Sequence, residues 1–449
     1  MIKRGVIIMI LGFTVKNYKV FKDETTISFL ASNYDKTTQE LESIVEFPEK
    51  KLRILKSAVI YGPNASGKTK LFEAIGFMRH FIINSSKESQ QGESIDVQPF
   101  LLSEMTEKEP SEFEMVFLYK NVTYRYGFEV TDQKVLAEWL FFKTSSKEIQ
   151  VFYRDTVENT CEIHKKHFKK GAMLHKENMV RDNALMLSVA SQFNDDLCSE
   201  VLSWFRSKLS VISGLREEGY QGFSMMKINQ KDAHNRMMHL VQGSDLCIQD
   251  IRSNELKVED IPDSLPVELR EQMINEIKNE NITYFSETIT THNKYDINNK
   301  IIGSVDLLLD EDESQGTQKF FYLSGPILDT LETGSTIFID EFDARMHPNL
   351  IVNLFSLFIN PEYNKQGAQL IITTHNSTLL RENMLRKDQI WFVEKDKFEA
   401  SHLYPLSDFK STKVRKGENF ESNYLKGKYG AIPYINFYHK ISQDPCKEK

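Results

Sequence analysis

Cysteine is scarce in this 449-residue chain: Cys161, Cys198, Cys247 and Cys446 are scattered, and no two stand in a CxxC pair. That spacing excludes a zinc ribbon or a disulfide framework and fits reduced thiols in a cytoplasmic protein. No sustained heptads are present, which excludes a long coiled coil, and there is no internal repeat or low-complexity tract. Basic charge is not in excess either. The net charge is −8, so nucleic acid can be held only through a local basic patch. An apolar run near the start follows Lys3 and Arg4. It is too short to span a membrane, and no small-residue cleavage site follows. It reads instead as a first β-strand, with either Met1 or Met9 as the start.

Hydrophobic residues make up 40% and charged residues 27% of the chain, the balance of an ordinary globular protein with a substantial core. Between 112 and 142 the aromatic and aliphatic residues alternate (Phe113, Met115, Phe117, then Tyr124, Tyr126, Phe128), which predicts an antiparallel meander. Residues 196–283 read as mostly helical, with breaks at Gly214–Gly222 and at Pro262 and Pro266. From Ile301 onward strands and helices alternate.

Two motifs carry chemistry, and a third strand end joins them. Gly62-Pro63-Asn64-Ala65-Ser66-Gly67-Lys68-Thr69 matches GxxxxGK[ST] in full, after an apolar strand and at the start of an amphipathic helix. The N–H groups of such a loop wrap a phosphate, Lys68 bridges the β- and γ-phosphates of ATP, and the Thr69 hydroxyl holds Mg²⁺. Thr336-Ile-Phe-Ile-Asp340-Glu341 is an apolar strand running into two carboxylates. Strand ends of this kind collect ligands in open α/β sheets. Asp340 suits Mg²⁺ and Glu341 suits polarising an attacking water; the bland alternative is a solvated acidic turn. His375 ends the strand of Gln369-Leu-Ile-Ile-Thr-Thr-His-Asn376, 34 residues after Glu341, in a position to sense the γ-phosphate.

The order of phosphate loop, distant double acid and strand-end histidine resembles the ABC-type ATPases of the SMC, RecF and OLD group. Further stretches resemble the stand-alone ATPases of bacterial defence and abortive-infection loci, the RloA and AbiL kind. They are Phe13–Phe21, Glu313–Lys319, Asp340–Pro348, Thr373–Asn376, Asp388–Lys395 and Tyr424–Pro433. The resemblance implies an α/β ATPase head with a mixed sheet, an antiparallel β-subdomain and a helical lobe. Its expected parts are residues 1–195 with the phosphate loop and meander, 196–300 as the helical lobe, and 301–449 with the signature, the double acid and the histidine.

It also implies that Ser314, Gln315 and Gly316 form the signature motif, here Glu-Ser-Gln-Gly in place of the usual Leu-Ser-Gly-Gly. That motif contacts the γ-phosphate bound to the opposite subunit, so a homodimer with sandwiched ATP follows. Without the family, the same stretch is a loop capping a helix. Leu323-Ser-Gly325 looks closer to the usual text but falls inside the expected signature helix. Asp343 becomes the aspartate that acts across the dimer, and Gln192 the glutamine that couples Mg²⁺ to the lobes, with Gln98 as runner-up.

Two basic segments, Lys165–Lys170 within His164–Lys170 and Lys410–Lys416, are either solvated faces or contacts for nucleic acid. Only about 70 residues follow His375, too few for the Toprim nuclease domain of OLD proteins by typical domain sizes. The expected activity is therefore a slow ATPase that controls a separately encoded effector in anti-phage defence. The rivals are a nucleic-acid repair or maintenance ATPase and a scaffold that binds ATP without hydrolysing it.

Overall fold

The computed structural model describes residues 8–33, 40–88, 90–145, 147–261, 265–279, 283–381, 384–409 and 418–433. Two compact units make up the chain: Ile10–Arg206 with Thr373–Lys449, and Met1–Met9 with Ser207–Ile372. Both ends of the chain thus contribute to the first unit.

That first unit is built on a seven-stranded sheet. The expected meander is there, as Ser111–Tyr119, Val122–Val130 and Val135–Lys143 in continuous antiparallel register, with Phe113 opposite Phe128 and Tyr126 opposite Leu140. The strands Ile149–Asp155 and Thr160–Ile163 extend it on one side, Ile8–Lys16 and Thr25–Ser28 on the other. Alternation drives this: every second residue of Ser111–Phe117 is buried, which is the two-residue period of a half-buried strand. The helix Lys68–Asn84 lies on this face. Its Phe77 and Phe81 rings meet Phe113 at 4.9 Å and Phe128 at 5.4 Å. A second helix, Asp196–Ser207, stacks Trp204 on Phe117 at 3.9 Å. The unit also carries a mixed set of strands, Ser57–Tyr61 parallel to Ile390–Lys395, which pairs antiparallel with Ser401–Pro405.

The second unit has a parallel core. Leu209–Ser213 pairs with Thr336–Asp340, which pairs in turn with Gln369–Thr373. The last two strands are buried at every position, as their uninterrupted apolar sequences require. The helix Gln315–Thr333 packs on Gln221–Ile228, where Ser224 Oγ donates to Tyr322 O at 2.6 Å and Lys227 pairs with Asp329 at 2.8 Å. Leu323, Ser324 and Gly325 lie buried in the interior of this long helix, so the rejected signature look-alike faces core and not ligand.

The stretch 196–300 holds the expected helices, Asp196–Ser207, Gln221–Ile228, Lys231–Gln242 and Val267–Lys278. It also holds strands that the pattern did not announce: Leu209–Ser213, and Ile248–Glu255 paired with Phe285–Tyr295. The reason is a bulge. Ile248 and Ile251 stand three apart like helix neighbours, but a register shift between Ile248 and Asp250 turns both to the buried side of a strand. Among the described residues no helix is long and apolar enough to cross a membrane.

Candidate functional site

The phosphate loop joins the buried strand Ser57–Tyr61 to the 17-residue helix Lys68–Asn84. Its backbone is bent in ways that depend on residue type. Gly67 has φ +112° and Ala65 φ +61°, the first a region open to glycine without strain. At Gly62 any Cβ would lie 2.3 Å from Val393 O and 2.7 Å from Ser66 Oγ. The loop is braced from behind, since Ser401 Oγ donates to Ser66 O at 2.7 Å and Ser401 N to Val20 O at 2.8 Å. Lys68 curls over its own loop, its ammonium donating to Gly62 O at 2.7 Å and Pro63 O at 3.0 Å. Ser66 Oγ is buried and has no hydrogen-bond partner. An orphaned buried hydroxyl, a lysine held in the bowl and a glycine where a side chain cannot fit together suit an anion at this loop. Asn64, Ala65 and Thr69 face solvent and Pro63 is half-buried.

In the same unit, the segment after Gln369–Thr373 is tied to the strand before the loop by Thr374 N donating to Ile60 O at 3.2 Å. His375 follows as an exposed residue, and the Asn376 side chain caps the next turn through Thr378 N at 2.8 Å.

The acidic pair sits at the end of Thr336–Asp340 in the other unit. Asp340 is buried, and its carbonyl accepts from Gly214 N at 2.6 Å. Glu341 adopts φ +50°, a left-handed conformation that non-glycine residues take at a cost. Two features pin it. Gly214 lies so close that a Cβ there would stand 2.3 Å from Glu341 O and 2.8 Å from the Lys319 ammonium. Lys319 Nζ in turn donates to Glu341 O at 3.2 Å. Lys319 is wholly buried, and that burial lowers its pKa to about 8, against the opposing pull of Asp343, Glu217 and Glu341; Arg345 adds to the lowering. Neither Lys319 nor Gly214 stood out in the sequence. A glycine directly after the strand Leu209–Ser213 is the one signal that marked the spot.

Ser314 caps the helix Gln315–Thr333, its hydroxyl accepting from Thr317 N at 3.1 Å. Ser314 and Gln315 face solvent, while Gly316 is close-packed, its Cβ position 2.8 Å from Arg345 O. The segment carrying Asp343 and Arg345 is thereby set beside the start of this helix. Glu313 is anchored by Thr290 Oγ1 at 2.8 Å and His292 Nε2 at 2.7 Å.

Gln192 is placed elsewhere. Its amide donates to Ser86 O at 3.3 Å, beyond the far end of a helix about 25 Å long that begins at the phosphate loop. From there it does not reach a metal at Thr69, so the expected metal role of Gln192 is corrected. Gln98 lies nearer, its carbonyl accepting from Lys19 N at 2.9 Å while Lys19 pairs with Glu73 in the second turn of that helix.

The first basic segment is also reduced. Phe168 is buried against Phe152 at 5.1 Å, so it offers no stacking platform. Lys170 donates to Phe193 O and Asn194 O, just past the C-terminal end of the helix Met186–Gln192, a place that favours cations. Lys165, Lys166 and Lys169 remain exposed. Lys410–Lys416 lies outside the described residues.

Among the described residues no three His, Cys, Asp or Glu side chains cluster to hold a metal. A Mg²⁺ ion here would depend on one or two protein oxygens plus phosphate and water, which is its usual manner, and Thr69 and Asp340 are donors of the right kind.

The family model described as "AAA domain, putative AbiEii toxin, Type IV TA system" matches residues 57–160 and 251–381, more than half of the chain. Among solved structures the chain is similar to the SMC head domain from Thermotoga maritima, at 11% identity and a TM-score of 0.38, over 88% of this chain and 98% of that one. It is also similar to a dimeric ATP-binding cassette in a post-hydrolysis state bound to ADP and Pi, at 10% identity and a TM-score of 0.27, over 90% of this chain and 100% of that one. No curated protein matches it in sequence.

Proposed function

The chain belongs to the family of the AAA domain, putative AbiEii toxin, Type IV TA system, and from that premise we propose that it is an ATP-hydrolysing dimeric switch controlling a separate effector in bacterial anti-phage defence. The observation that carries the ATP reading is the phosphate loop itself, with its braced backbone, inward lysine and partnerless Ser66 hydroxyl.

In this reading the loop N–H groups, Lys68 and Ser66 bind the phosphates of ATP. Thr69 and Asp340 supply oxygens to Mg²⁺, which when bound neutralises phosphate charge. Glu341 accepts hydrogen-bond donation from the attacking water and polarises it. Its rigid left-handed backbone, held by Lys319 and Gly214, keeps the carboxylate from wandering. His375 contacts the γ-phosphate, and Gln98 replaces Gln192 as the coupling glutamine. Ser314 and Gly316 of one subunit face the nucleotide of the other, with Asp343 acting across the dimer. Two bound nucleotides favour the paired state, and hydrolysis releases it.

Mixing two inactive chains tests this most broadly. Lys68→Ala with Ser314→Arg yields mixed dimers with one undamaged site, so part of the ATPase activity returns. No rescue, together with an ATP-bound chain that stays monomeric, contradicts the switch. Exposed Lys165, Lys166 and Lys169 favour a second reading, a nucleic-acid maintenance ATPase; hydrolysis stimulated by DNA or RNA at low salt supports it. A chain that binds ATP and releases no phosphate would be the scaffold instead.

A further inference from the structure

The three-stranded sheet Ile248–Glu255, Phe285–Tyr295, Ile301–Leu308 ends in an edge that nothing covers. Ile301–Leu308 pairs with Phe285–Tyr295 on one side, and no described strand pairs with its other side. Edges of this kind are ordinarily blunted by lysine, proline or inward charge, because free N–H and C=O groups recruit other strands. This one reads Ile-Ile-Gly-Ser-Val-Asp-Leu-Leu. Its single charge, Asp306, turns to its own sheet, pairing with Arg252 at 2.5 Å and accepting from Thr291 Oγ1 at 2.8 Å. Ile301 and Ile302 are 62% and 60% exposed, and Val305 is exposed as well. Such side chains on an open edge are a hazard unless a partner covers them.

We infer that Ile301–Leu308 is where a second copy of this chain docks, edge to edge and antiparallel, with Gly303 on the two-fold axis. A two-fold contact uses the same patch on both copies, so the strand must complement itself. Centred on Gly303, antiparallel pairing sets Ile301 opposite Val305 of the other copy and the two Gly303 opposite each other. It also sets Lys300, exposed and without an ion pair among the described residues, opposite Asp306 of the other copy. Apolar residues then meet apolar ones and opposite charges face each other, the favourable cross-strand combinations. Nothing stands within 4 Å of a Cβ at Gly303, so the axis is open for close approach. The middle strand, through Thr290 and His292, also grips Glu313 beside Ser314. The contact itself needs no nucleotide.

Two variants test it in the full-length chain without ATP and in the Lys68→Ala background, where nucleotide-driven pairing plays no part. By light scattering the parent is expected at twice the monomer mass, and Ile301→Lys with Val305→Lys at the monomer mass with an unchanged melting temperature. Gly303→Cys, under mild oxidation, should give a disulfide-linked dimer far above the level of the parent and of Asn298→Cys at the hairpin turn. A parent that is monomeric at every concentration overturns the inference, and so does a dimer that the two lysines leave intact. Equal cross-linking of Gly303→Cys and Asn298→Cys overturns the register. Failure of any of these leaves the ATPase reading untouched, because none measures hydrolysis.

Discussion

Two strands of one unit, Thr336–Asp340 and Ile301–Leu308, are both rich in isoleucine and both carry an aspartate. The first is buried at all five positions, and the second is exposed over its first six. The difference lies in neighbours. Thr336–Asp340 has a parallel strand on each side, so its carboxylates emerge from a fixed base. Ile301–Leu308 has a neighbour on one side only, and its backbone is left available to pairing. A central strand delivers chemistry at its end; an edge strand delivers a contact along its length.

If burial on both sides makes a strand end a chemical site, the loop after the other fully buried strand, Ser57–Tyr61, should be the most sensitive point. Gly62→Ala would force a methyl group to 2.3 Å from Val393 O. ATP affinity measured by calorimetry should fall at least a hundredfold, roughly 3 kcal/mol, and unchanged binding would break the loop's geometry as described.

The comparison itself is sharpened by truncating one side chain in each strand. Ile339→Ala in the buried strand should cost about 2–5 kcal/mol in urea unfolding, and Val305→Ala in the edge strand less than about 0.5 kcal/mol when assayed as monomer. Equal losses would mean that the edge is not open.

Lys319, in the same unit, adds a pH signature. Its folded pKa is lowered to about 8, chiefly by burial, with Asp343, Glu217 and Glu341 opposing and Arg345 adding. Between about pH 8 and the ordinary lysine value the unfolded chain therefore holds more protons than the folded one. Stability contributed by neutral Lys319 is present above that ordinary value and lost as pH falls through about 8. Relative to Lys319→Met, wild type should gain on the order of 3 kcal/mol from pH 7 to 10.5. Parallel stability curves would contradict a desolvated ammonium.

The smallest effect belongs to the surface. Lys165, Lys166 and Lys169 changed to Glu should leave basal hydrolysis within about twofold, while any nucleic-acid binding disappears and, in wild type, weakens steeply with salt. Binding that survives both changes would remove this segment from consideration.

Much of this molecule was readable in advance, for identifiable reasons. The phosphate loop, the apolar strand into Asp340 and Glu341, and the aromatic meander each combine a local period with an abrupt change of residue type, and each lies where expected. What escaped depended on distant partners. The bulge in Ile248–Glu255 disguised a strand as a helix. Lys319 looks like any helix lysine until Gly214 and Glu341 O close around it. Gln192 had the residue type for its role, but the length of one helix carries it away from the loop. The left-handed turn at Glu341 has no sequence mark at all, since glutamate does not favour it.

The central claim is that ATP held at 62–69 is hydrolysed by water that Glu341 polarises. Phosphate release by Glu341→Gln, measured beside its ATP affinity, tests it most directly. Affinity should stay within a few-fold of wild type while turnover falls a hundred- to several-thousand-fold, about 3–5 kcal/mol of barrier. Wild-type turnover in this variant would contradict the claim.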